Sequence, residues 1–223
     1  MHVQVRDRGI GPGQAIAGER IGILGGAFNP PHIGHLVLAQ EAHAQLGLDV
    51  VRLVPFGRPP HRELEQDPGA EMRLAMCEQA IEGDSRFAVS RIELDREGLS
   101  YTVETLREMR TQCSDDDELV LILGGDQAVA LPGWHEPAEV LSLAIVAVAE
   151  REEWRRSEVL DAIGALGGEV TFFDMPRVDV SSSLIRRRLR DGNPIRYLVP
   201  DAVAESIASR SLYGASPAAV TSS

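Results

Sequence analysis

A chain of 223 residues, 43% of them hydrophobic, is long enough to enclose its own core and is not disordered by composition. With 22 Lys and Arg against 34 Asp and Glu, the net charge of −12 argues against a duplex-binding surface, so no nucleic-acid partner is expected. No apolar run reaches the roughly 18 residues of a membrane span, no signal-like segment opens the chain, and Cys77 and Cys113 stand in no close-spaced Cys/His group. These features argue against a membrane span, a disulfide framework and structural zinc, and a cytoplasmic protein is expected.

Residues 1–19, with Gly9, Gly11, Pro12, Gly13 and Gly18, read as a flexible leader, and 214–223 as a flexible tail. Between them, 20–213 reads as a single domain. Short, nearly continuous apolar runs predict strands at 20–24, 50–54, 87–90, 119–123, 144–149 and 170–173. Longer amphipathic stretches predict helices at 32–46, 70–81, 102–112, 136–141 and 155–166, with short ones at 182–189 and 201–209. Strand-helix alternation implies an α/β fold: a Rossmann-like parallel sheet flanked by helices, with a small helical C-terminal segment. Ligands of such sheets bind beyond the carboxyl ends of the strands, so the residues after each strand matter most.

After the first strand comes "GGAFNPPHIGHL". Gly25 and Gly26 let a ligand approach the backbone. Asn29 and Pro30 look like an N-cap and first position of a helix, whose free N–H groups would face an anion. His32 and His35, three apart, share one helical face. Glycines, a helix start and two imidazoles together suggest a phosphate site. The stretch contains neither G-x-G-x-x-G nor G-K-[ST], and its H-x-G-H spacing lacks a third ligand, so no protein-held metal is expected.

After the second strand, Arg58, His61 and Arg62 surround Pro59 and Pro60, either a basic substrate loop or a solvated turn. Ser100 suits the cap of the helix near Thr102. Gly124, Gly125 and Asp126 follow the fourth strand, where a carboxylate suits ribose hydroxyls or could cap the next helix. Trp134 lies on the loop beyond. Ser181, Ser182 and Ser183 can cap a helix whose Arg186, Arg187, Arg188 and Arg190 gather positive charge in an acidic chain.

Residues 25–36 resemble the first signature of the H-x-G-H nucleotidyltransferases, and the chain from Arg20 to Tyr213 is similar to the bacterial nicotinate-nucleotide adenylyltransferase family. The resemblance implies that ATP donates its adenylyl group to nicotinate mononucleotide, giving nicotinate adenine dinucleotide (deamido-NAD) and pyrophosphate in NAD biosynthesis. It implies catalytic roles for His32, His35 and Arg186. ATP contacts fall to Gly25, Gly26, Ala27, Phe28, His35, Gly124, Asp126, Ser182, Ser183 and Arg186, and substrate contacts to Arg58, His61, Arg62, Tyr101, Thr102 and Trp134. Mg²⁺ would be held mainly through the ATP phosphates. Three departures stand out: Ala27 for a frequent Ser or Thr, Asn29 for a frequent Asp, and Glu150 roughly where an Arg often follows the fifth strand. Another acceptor within the same superfamily, or a non-catalytic nucleotide-binding module, are the rival readings; oligomeric state, homodimer included, is left open.

Overall fold

The computed structural model describes residues 18–59, 64–150 and 156–215. Six strands form one sheet in the order β3-β2-β1-β4-β5-β6: β1 Arg20–Gly26, β2 Val50–Pro55, β3 Phe87–Val89, β4 Glu118–Gly124, β5 Ile145–Glu150 and β6 Val170–Asp174. β1 pairs with β4, β4 with β5 and β5 with β6, all parallel, with registers such as Ile21 opposite Leu119 and Val148 opposite Phe172. This is the doubly wound order. The helices are α1 Ile33–Leu46, α2 Ala70–Ala80, α3 Ile92–Asp95, α4 Thr102–Thr111, α5 Gly125–Ala130, α6 Pro137–Leu143, α7 Arg156–Gly164, α8 Ser182–Arg190 and α9 Asp201–Ser209.

The chain gathers into two compact units. The first takes residues up to 24, then 39–52 and 101–175. Its core holds the sheet interior, Leu119–Leu123 and Val146–Ala149, with Val103, Leu106 and Met109 of α4 and Val159 and Ile163 of α7, all buried. Gly22 sits tightly in this packing: a Cβ there would lie 2.7 Å from Leu48 Cδ1, which would have to move. Gln45 caps the end of β6, donating to Asp174 O at 2.7 Å and accepting from Asp174 N at 3.0 Å.

The second unit takes residues 25–38, 53–100 and 176 onward. Its core joins Met76 of α2 to Ile185 and Leu189 of α8, Val203 and Ile207 of α9, and Ile195, Val199 and Tyr213. The apolar side of α8 expected from Leu184, Ile185 and Leu189 holds for Ile185 and Leu189, which are fully buried, while Arg187 and Arg190 face solvent.

Several local expectations need correction. α1 begins at Ile33, not at an Asn29 cap, and the Asn29–Pro30 peptide is cis. His32 takes the capping place, its carbonyl accepting from His35 N at 2.9 Å and Leu36 N at 3.4 Å. Ser100 does not cap α4; Tyr101 precedes that helix without a side-chain cap, and Ser100 Oγ accepts from Arg58 N at 3.1 Å instead. α3 and α5 had no counterpart among the expected helices, being too short to display a helical period. Among the described residues no helix is long and apolar enough to cross a membrane.

Candidate active site

The second unit brings the glycine-histidine loop and the serine-arginine helix together. Gly25 and Gly26 end β1, and Gly26 O accepts from Phe56 N at 3.0 Å. Phe28 adopts a left-handed backbone (φ 47) and buries its ring against His35, centroids 4.8 Å apart, so it can offer a ligand its backbone but not its side chain. His32 is buried and His35 half-buried, with ring centroids 3.7 Å apart.

His35 sits at the third position of α1 and reaches back: its Nδ1 accepts from His32 N–H at 3.2 Å. This is the capping-box contact, made by an imidazole. An accepting Nδ1 leaves the proton of a neutral ring on Nε2, so His35 presents an Nε2–H donor. The start of α1 is therefore not the open anion cradle expected. The His32 N–H is taken by His35 and the Ile33 N–H by Leu198 O at 3.0 Å. Donors for an anion then fall to the side chains, to α8 and to the backbone of the loop before Asn29.

Gly34, between the histidines, has a packing reason. A Cβ there would stand 3.0 Å from His32 Cε1 and Nδ1. Gly34→Ala is expected to hold or raise Tm, because alanine favours a helix by up to ~1 kcal/mol over glycine. It is also expected to cut kcat about tenfold by pushing the His32 ring aside, since ångström-scale misplacement costs of order 10². Parallel melting and steady-state measurements check this; unchanged kcat would show that the ring position does not matter.

α8 begins at Ser182, with Ser181 as its cap: Ser181 Oγ accepts from Leu184 N at 3.1 Å. Ser182 Oγ donates to Pro30 O at 2.8 Å, tying the helix start to the histidine loop. Arg186 is only 7% exposed. Its Nη1 donates to Asn29 O at 2.8 Å, and its Nη2 to Ser183 Oγ and Glu65 Oε2, both at 3.3 Å. Its Nε is buried with no hydrogen-bond partner among the described residues. A guanidinium held by Asn29 O and Ser183 Oγ, with exposed Glu65 on its remaining side, can turn Nη2 to an anion. Arg188 Nε donates to Pro194 O at 2.8 Å and Arg190 Nη1 to Gln66 Oε1 at 3.3 Å, while Arg186 is the arginine seen bonded to the histidine loop among the described residues.

Asn29, read from sequence as a cap, is instead a buried junction. Its Oδ1 accepts from Tyr213 Oη at 2.8 Å, its Nδ2 donates to Glu65 O at 2.9 Å, and its carbonyl holds Arg186. Burial pushes the Tyr213 hydroxyl pKa up, keeping it a donor. Arg58 is exposed, its backbone paired with Ser100 in both directions (Arg58 N to Ser100 Oγ at 3.1 Å, Ser100 N to Arg58 O at 2.8 Å). His61 and Arg62 lie outside the described residues.

In the first unit, Tyr101 stacks on His135 with centroids 4.4 Å apart, next to half-buried Thr102 and Trp134. Two segments read separately in sequence are thus joined through His135, which sequence reading passed over. Arg107 braces this corner by ion pairs to Glu104, Glu136 and Glu139. At the end of β4, exposed Asp126 sits in the first turn of α5, and a Cβ on Gly124 would be 2.8 Å from its Oδ1. Its Oδ2 accepts from Gln127 Nε2 at 3.2 Å. Glu150 pairs with Arg156 at 3.3 Å, and the Arg156 guanidinium lies 4.3 Å over the Phe172 ring.

An α/β doubly wound sheet carrying H-x-G-H after its first strand defines a class. The cytidylyltransferase-like family model matches residues 23–188, and the chain belongs to that class of nucleotidyltransferases. Relatives narrow it further. A Pseudomonas putida (strain W619) protein named "Probable nicotinate-nucleotide adenylyltransferase" is 41% identical over 91% of this chain and 98% of its own length. A Geobacillus thermodenitrificans protein of the same name is 41% identical over 88% of this chain and 87% of its own. The chain belongs to the nicotinate-nucleotide adenylyltransferase family. Its fold also matches the Plasmodium falciparum nicotinic acid mononucleotide adenylyltransferase, solved with APC and with NaAD. TM-score is 0.72 in both cases, at 17% and 18% identity, over 89% of this chain and 99% of that one.

Proposed function

We propose that this protein transfers the adenylyl group of ATP to nicotinate mononucleotide, releasing pyrophosphate and forming nicotinate adenine dinucleotide. The observation that carries the reading is the tying of α8 to the loop of His32 and His35, Arg186 donating to Asn29 O and Ser182 to Pro30 O. The acceptor phosphate oxygen attacks the α-phosphorus as the bond from that phosphorus to the oxygen bridging the β-phosphate breaks. The nucleophile is already an anion, so no proton has to move. The residues need only align two anions and receive the charge arriving on pyrophosphate. His35 Nε2–H and Arg186 take that task, Ser182 and Ser183 support the phosphates at the positive end of α8, and His32 orders the His35 ring. Gly25, Gly26, Ala27 and Phe28 lend backbone, Gly124 and Asp126 the ribose contact. Arg58, with His61 and Arg62, supplies positive charge to the acceptor phosphate.

His35, Ser182, Ser183 and Arg186 offer hydrogen-bond donors around the loop, and among the described residues no group of three or more His, Cys, Asp or Glu is placed to hold a metal ion. A hard cation takes oxygen ligands, so this donor set suits Mg²⁺ carried by the ATP phosphates, which Ser182, Ser183 and Arg186 would hold. The cation would offset charge on the departing pyrophosphate. The proposal takes 20–213 as one catalytic domain in the cytoplasm, a setting that free Cys77 and Cys113 suit.

The test is pyrophosphate release from ATP or CTP with a panel of acceptor phosphates. The acid mononucleotide is expected to exceed the amide in kcat/KM by roughly 10²-fold. Donor groups near Tyr101, Thr102 and Trp134 would satisfy two carboxylate oxygens and oppose an amide NH₂, each mismatch costing ~1–3 kcal/mol. Glu150, tied to Arg156, is less able to repel the acid than its charge alone suggests. Equal values would remove the acid preference and leave adenylyl transfer standing.

A further inference from the structure

We infer that Arg73 is a positioning residue for adenylyl transfer: its guanidinium sets the orientation of the Ala27–Phe28 peptide in the glycine-histidine loop. The inference rests on the reading above and goes beyond it, because Arg73 lies on α2, outside every motif of the site.

Arg73 is fully buried. Its Nη1 donates to Ala27 O at 3.0 Å, its Nη2 to Gly57 O at 3.5 Å, and its Nε to Asp67 Oδ1 at 2.9 Å. Asp67 is itself held, since Oδ1 also accepts from Gly69 N at 3.0 Å. The guanidinium thus spans three segments: the loop after β1, the loop after β2 and the turn before α2. For stability alone this is a poor choice. Taking a cation out of water is costly, and an apolar side chain beside Met76 and Cys77 would pack with less penalty. What an apolar residue cannot do is fix carbonyls.

The carbonyls in question are consecutive. Gly26 O accepts from Phe56 N at 3.0 Å, and Ala27 O accepts from Arg73. A trans peptide is planar, with N–H pointing opposite to C=O. Holding Ala27 O toward Arg73 therefore turns the Phe28 N–H the other way. Phe28 has φ 47, a backbone that a non-glycine residue adopts at a cost, so an anchor on the preceding peptide has a reason to exist. Without Arg73 the peptide loses the bond that decides which end of it points outward. Gly57 contributes rigidity to the other anchor, because a Cβ there would fall 2.1 Å from Glu93 O.

The test uses Arg73→Met with Asp67→Asn in one full-length variant, so that neither charge is left buried alone, beside Arg73→Lys. Both are compared with wild type for melting, for binding of α,β-methylene ATP by calorimetry, and for kcat and KM of each substrate. The paired variant is expected to stay folded while kcat/KM for ATP falls about 10²-fold, the scale of ångström misplacement. Intrinsic binding of nicotinate mononucleotide, followed by tryptophan fluorescence, should move little. Lysine keeps the charge but not the fork of donors, so Arg73→Lys should recover less than a tenth of the lost activity. Wild-type kcat/KM for ATP in the folded paired variant would overturn the role. So would an activity loss that merely tracks the unfolded fraction. A wild-type protein that binds ATP yet uses no acceptor phosphate would instead sink the transfer reading on which the role depends.

Discussion

His35→Ala is expected to lower kcat by about 10²–10³ while the chain stays folded. The size is that of losing one preorganised donor to developing charge. Its ground is a hydrogen bond: His35 Nδ1 accepts from His32 N–H, which places the proton of a neutral ring on Nε2. Alanine removes two things at once, the donor and the contact that closes the start of α1. The glutamine variant separates them. Glutamine at the third helical position can reach back to the capping N–H as histidine does. His35→Gln should therefore recover most of any Tm lost in His35→Ala, while kcat stays low. Differential scanning calorimetry and pyrophosphate release on the same preparations give the two numbers. If glutamine restored turnover along with Tm, His35 would be a helix-capping residue and the transfer chemistry would have to rest elsewhere.

What sequence reveals here follows the range of the interaction. The strands of the sheet are apolar runs bounded by polar or glycine residues, so they are legible locally, and their parallel sense follows from the alternation, whereas the order that sets β1 beside β4 rests on long-range pairing. The H-x-G-H stretch and Ser181–Arg186 are legible because residue types of unusual chemistry stand close together. Asn29 misleads for the opposite reason. Asn-Pro is a local helix-start pattern, but the decisive partner is Tyr213, 184 positions along the chain. No reading of neighbours could choose between them. Ser100 is a similar case, a plausible cap claimed instead by Arg58, 42 positions away. Arg73 left a faint trace: it precedes Met76 and Cys77 by three and four positions, so it shares their buried face. A charged residue on an apolar face is the signal that could have found it. His135 had none beyond its place next to Trp134.

Arg186→Gln is expected to reduce kcat by roughly 10³, the lower range for an arginine that stabilises phosphoryl-transfer charge. Asn29 O and Ser183 Oγ already hold the guanidinium, so it need not reorganise when charge moves onto pyrophosphate. Glu65 contacts the same Nη2 but is 79% exposed, and an exposed pair of this kind contributes little. A phosphate can therefore replace that carboxylate without a large penalty. The glutamine variant leaves Asn29 O with a weaker or absent donor in a buried place, a cost of ~1–3 kcal/mol that should lower Tm by several degrees. Turnover must then be measured well below the variant's own Tm, so that stability and chemistry are read apart. Arg186→Lys refines the assignment: it keeps one positive charge but cannot bond Asn29 O and a phosphate together in one plane, so about 10²-fold of the loss should persist. Pyrophosphate, as product inhibitor, should bind both variants more weakly than wild type. A folded Arg186→Gln protein with wild-type kcat and unchanged pyrophosphate inhibition would mean that Arg186 merely anchors α8 to the histidine loop.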